Sequence, residues 1–99
     1  MLQRYRGDSE KVQVDFTNYT PFKPGAKVTF TLRKSEDSKK LIVKSQDTTE
    51  EKIIFFDLKP SETEGLYGIL VFDVEYRKDD YVKTVVKDKI EFIKDVTHD

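Results

Sequence analysis

Apolar and polar residues alternate with a period of two along most of this chain. Val12, Val14 and Phe16 alternate with Gln13, Asp15 and Thr17, as they would on a strand with one face in a core. Val28-Thr29-Phe30-Thr31-Leu32-Arg33 repeats the pattern with the β-branched and aromatic residues that strands favour. Shorter runs follow at Leu41-Ile42-Val43 and from Ile53 to Leu58, and the longest run from Gly68 to Arg77 and from Tyr81 to Ile93. Leu70, Phe72, Val74 and Tyr76 share one face of the first long run. In the second, Val82, Thr84 and Val86 share parity with Ile90 and Phe92, and Asp88 interrupts them, which predicts a bulge there. Leu2 to Arg6 reads as an edge strand.

Turn chemistry separates these runs. The polar stretch from Lys34 to Lys39 joins two strands, and Lys78-Asp79-Asp80 closes a hairpin in which Asp takes the left-handed conformation. Two prolines make the stretch from Tyr19 to Gly25 a loop. Pro60 to Glu64 reads as one helical turn, with Pro60 at its first position, acids at its N-terminal end and Gly65 at its exit. No segment holds ten residues of helical periodicity. The expected fold is therefore all-β: an antiparallel immunoglobulin-like β-sandwich of about seven strands with one short helical turn, residues 1–99 forming a single domain. An open barrel is the alternative. Gly65-Leu66-Tyr67 stands where such sandwiches place a tyrosine corner, but the parity of Leu70 and Phe72 turns Tyr67 outward unless Gly68 bulges.

Composition narrows the function classes. The 99 residues are 37 % charged and 36 % hydrophobic, with a net charge of −1. Ten Lys/Arg face six Asp/Glu in residues 1–49, and eight face thirteen in residues 50–99. That split favours head-to-tail self-association, but early and late strands interleave in a sandwich and mix the charge. Near-neutrality speaks against a nucleic-acid partner. The chain has no cysteine, which excludes disulfides and thiolate-bound zinc and fits a reducing compartment. Met1-Leu2-Gln3-Arg4-Tyr5-Arg6 does not read as an apolar leader, and no stretch approaches the roughly 20 apolar residues that span a bilayer.

Catalytic chemistry finds little to stand on. His98 is the single histidine, in a terminal position that holds no side chain firmly. The carboxylate pairs Glu50-Glu51, Glu62/Glu64 and Asp79-Asp80 read as loop charges, without calcium-loop spacing or a cleft to hold them. Arg6-Gly7-Asp8 spells an adhesion tripeptide but reads as a turn between two strands. Tyr5, Tyr19, Tyr67 and Tyr81 could make a sugar-stacking platform, but five tyrosines in 99 residues are ordinary for a β protein and core and rim packing is the default reading. More informative are apolar residues of outward parity. Inward Ile54, Phe56 and Leu58 leave Ile53 and Phe55 facing out, and inward Leu70, Phe72 and Val74 leave Ile69 and Val71 facing out. Such pairs mark either a protein contact or a face covered by a loop or the N-terminal segment.

The order of these pieces resembles a family of small immunoglobulin-like proteins and domains of tailed phages and prophages, among them the N-terminal domain of siphophage baseplate upper proteins. The matching elements are Arg6-Gly7-Asp8-Ser9 after a first strand, the run from Ala26 to Lys34, and Leu58-Lys59-Pro60-Ser61-Glu62-Thr63. Gly68 to Glu75, Lys89-Ile90-Glu91-Phe92 and Asp95-Val96-Thr97 complete the match. The chain departs from the family pattern at Lys59, Leu70, Phe72 and Asp80. The resemblance implies a non-enzymatic structural protein of the virion, in the tail, baseplate or head–tail connector, made in the cytoplasm of a bacterial host. Its partners would be other virion proteins or copies of itself, with no cofactor, metal, nucleic acid, membrane or small-molecule substrate. The alternative is an adhesive or carbohydrate-binding immunoglobulin-like module of a bacterial surface protein.

Overall fold

The computed structural model describes residues 1–93. Its elements run β1 (Leu2–Tyr5), β2 (Glu10–Asp15), β3 (Lys27–Arg33), β4 (Lys40–Asp47), β5 (Ile53–Leu58), α1 (Pro60–Thr63), β6 (Gly68–Lys78) and β7 (Tyr81–Ile93). Among the described residues the fold is all-β, with one helical turn at Pro60. A five-stranded sheet is ordered β1-β7-β6-β3-β4, and β2 pairs with β5 in a second, two-stranded sheet. Every pairing is antiparallel except β1 with β7, which is parallel and sets Leu2 opposite Ile90. The large sheet is therefore mixed, where an antiparallel sandwich is the expectation; the departure is confined to β1. A short first strand reaches the last strand's edge in whichever direction the following turn allows, and periodicity carries no record of that direction.

Alternation works here because each sheet buries one face. Val12 and Val14 of β2, Ile54, Phe56 and Leu58 of β5, and Val28, Phe30 and Leu32 of β3 are all buried. They meet Leu70, Phe72, Val74 and Tyr76 of β6 and Ile90 and Phe92 of β7 in a single core. Phe30 of the large sheet stacks on Phe56 of the small one with centroids 5.7 Å apart. Each such side chain contributes about 1.5–3 kcal/mol on leaving water. Polar links tie the sheets at their margins: Gln46 Nε2 donates to the Phe55 carbonyl of β5 at 2.6 Å, and Arg4 Nε lies 3.1 Å from Glu10 Oε2.

Helix α1 starts as its sequence suggests. Pro60 occupies the first turn, and the Glu62 carboxylate accepts the Lys59 N–H at 2.8 Å, which satisfies a donor the short helix cannot. At the β6–β7 hairpin Asp79 has φ 53°, the one non-glycine in the left-handed region among the described residues. The bulge lies elsewhere than expected. Asp88 keeps register opposite Phe72, while Val74 faces Val86 and Glu75 faces Thr84, so Val85 is the extra residue. That insertion flips the parity before it. Val82 and Thr84 consequently pair with the outward Arg77 and Glu75, and Tyr81 turns toward Tyr76.

Candidate interaction surfaces

Ile53 and Phe55 lie on the outer face of the small sheet, 44 % and 46 % exposed. The neighbouring strand places Asp15 opposite Ile53 and Gln13 opposite Phe55. Lys11 Nζ stands 5.6 Å from the centre of the Phe55 ring and 4.0 Å from the exposed Asp57 carboxylate. No loop covers this pair. Ile69 and Val71 lie on the outer face of the large sheet, on the opposite side of the molecule. Ile69 is 53 % exposed and faces Glu91. Val71 is half-buried, flanked by Arg33 and Lys89. The structure thus does not join the two pairs into one patch; it sets one on each outer face.

Ion pairs surround Val71. Arg33 reaches Asp73 at 3.3 Å, and Lys87 reaches Glu36 at 2.7 Å. Each of the latter stabilises the other's charged form: the hydrogen bond from Lys87 holds the Glu36 carboxyl below its usual range, and the same bond raises Lys87. At the other margin, Lys44 Nζ lies 2.7 Å from Glu62 Oε2. That contact, reinforced by the Lys59 N–H, lowers the Glu62 carboxyl. Thr17 does the same for Asp15 through its hydroxyl and its N–H.

The Arg6-Gly7-Asp8 turn is a structural joint. Gly7 has φ 82°, its N–H donates to Thr63 Oγ1 at 2.9 Å, and that hydroxyl donates in turn to the Asp8 carbonyl at 2.9 Å. Tyr67 forms no tyrosine corner; it is 68 % exposed. The anchoring tyrosine is Tyr76, fully buried, whose hydroxyl accepts the Lys23 N–H at 2.9 Å and lies 3.2 Å from the Pro21 carbonyl. It thereby fastens the loop between β2 and β3 to the end of β6. Thr48 secures the same loop, accepting the Ala26 N–H and donating to the Lys23 carbonyl. Tyr19 joins this cluster, its hydroxyl 2.7 Å from that of Tyr81, and burial pushes its phenol up to about 12, with the bond to Tyr81 adding to the rise.

The tyrosines singled out from the sequence therefore divide. Tyr19 and Tyr81 meet at the loop end, while Tyr5 and Tyr67 are exposed at other positions. Glu50, Glu51, Glu64, Asp79 and Asp80 are exposed, and among the described residues no group of three or more His, Cys, Asp or Glu side chains is close enough to hold a metal ion. His98 and the stretch Asp95-Val96-Thr97 lie outside the described residues. No described helix is long and apolar enough to cross a membrane. No family model matches the chain, and no curated protein and no solved structure matches it.

Proposed function

We propose that this chain is an immunoglobulin-like sandwich that serves as a non-enzymatic structural part of a tailed-phage or prophage virion, in the tail, baseplate or head–tail connector. The strand order supports the fold: β7-β6-β3-β4 follows the G-F-C-C′ order of such sandwiches, and β2-β5 follows their B-E pair. The observation that carries the function is the pair of apolar sites on opposite outer faces, Ile53/Phe55 and Ile69/Val71. Residues of that kind gain nothing in water but contribute when a neighbouring protein buries them. Sites on both faces suit a part packed between neighbours, whether other virion proteins or copies of itself. The arrangement of motifs from Arg6-Gly7-Asp8-Ser9 to Lys89-Ile90-Glu91-Phe92 adds the likeness to phage proteins. Synthesis then takes place in the cytoplasm of a bacterial host. The test is to purify particles released from the source bacterium after phage infection or prophage induction on a density gradient and quantify their proteins by mass spectrometry. The chain is expected in constant ratio to the tail proteins; its absence from particles overturns the proposal.

A further inference from the structure

The loop end of the sandwich carries a cleft that neither outer face uses. The segment between β2 and β3 and the β6–β7 turn line an open cleft of about 440 Å³, within the range of sites that take small ligands. Pro21, the buried Tyr76 and Tyr81 are among its lining residues. Tyr81 is 42 % exposed, yet its ring is held in place: it meets Tyr76 edge-on at 6.0 Å and its hydroxyl bonds to that of Tyr19. An aromatic surface fixed in advance loses little freedom when a ligand arrives. Around the rim stand Lys23, Lys78, Asp79 and Asp80. None of the four has an ion partner among the described residues. Lys78 leans across toward the opposite loop, its Nζ 3.6 Å from where a side chain on Gly25 would begin.

We infer that this cleft binds a neutral saccharide. Two carboxylates oppose an anion and two ammonium groups oppose a cation, so the rim selects neither charge. A polyhydroxylated ring uses both kinds of group, donating its hydroxyls to Asp79 and Asp80 and accepting from Lys23 and Lys78. Its C–H face meets the Tyr81 ring, a side chain with an apolar body and a polar tip. Binding residues on loops fixed by a rigid scaffold are the common arrangement, and here the buried Tyr76 hydroxyl does the fixing. Since the cleft is separate from Ile53/Phe55 and Ile69/Val71, this inference does not rest on the assembly reading.

The test is a titration of the isotopically labelled full chain, followed by amide chemical shifts. The probes are cellotriose, maltotriose, chitotriose and galactotriose, with inorganic phosphate and butylammonium as charged controls. At least one trisaccharide is expected to move the amides of Lys23 and Asp79 to Tyr81 saturably, while neither charged control does. Tyr81→Phe weakens binding less than Tyr81→Ala does, because the ring remains but loses its bond to Tyr19. Tyr81→Ala and Asp80→Asn each weaken it tenfold or more, the second through an exposed residue whose change leaves the spectrum's folded dispersion intact. The inference is overturned if none of the four sugars moves these amides at 20 mM, if phosphate or butylammonium moves them as strongly, or if Tyr81→Ala and Asp80→Asn bind as wild type does.

Discussion

Thr63 has no accessible surface, and a buried hydroxyl costs free energy unless its bonds are made. Here they are: it accepts from Gly7 and donates to Asp8. One side chain thus locks the β1–β2 turn to the helix some 55 positions along the chain. Thr63→Val keeps the shape but leaves both backbone groups without that partner, at a cost of about 2 kcal/mol. In a domain of this length that lowers the melting temperature by roughly 10 °C, readable in a thermal melt. A melting point unchanged by Thr63→Val would mean that water replaces the hydroxyl. The sequence offered only part of this. Thr63 was readable as a turn residue, but a partner so distant in the chain leaves no local periodicity. Tyr76 is similar: its parity marked it as inward, while the bond from its hydroxyl to the loop at Lys23 had no local sign.

At the scale of elements, legibility followed how regularly a segment alternates. In β6 every inward residue foreseen, Leu70, Phe72, Val74 and Tyr76, is buried, because Asp73, Glu75 and Arg77 mark the opposite parity as outward even though Ile69 and Val71 share it. In β7 the adjacent Val85-Val86 suits either face, so nothing in the pattern marks where the extra residue enters, and the interruption at Asp88 is the more visible sign although the register holds there. Helix α1 was legible through Pro60 and Gly65, and its energetics are testable through Glu62. That carboxyl's pKa is lower in the folded chain, so its contribution is present above the ordinary value of 4.5 and is lost as pH falls through the folded value. Glu62→Ala therefore costs about 1 kcal/mol at pH 7. The gap between wild type and variant narrows as pH falls below 4.5, as denaturant melts at pH 7 and pH 3 can show. A gap that persists undiminished at pH 3 would assign the loss to packing rather than to charge.

For the whole molecule, the apolar residues of outward parity were legible as two pairs, but their placement on opposite faces depended on which sheet each strand joined. Two faces with apolar sites permit contacts on two sides, and repeated head-to-tail contacts close rings or extend filaments. Burying Phe55 or Ile69 at a contact contributes about 1.5–3 kcal/mol each, and each 1.4 kcal/mol is about tenfold in affinity. The direct measurement is the amount of Phe55→Glu and Ile69→Glu chain incorporated into gradient-purified particles, relative to wild type. Both side chains are about half exposed, so both variants are expected to fold and to melt within a few degrees of wild type. At least one is expected to fall tenfold or more in the particles; incorporation of both folded variants at the wild-type level would contradict the account.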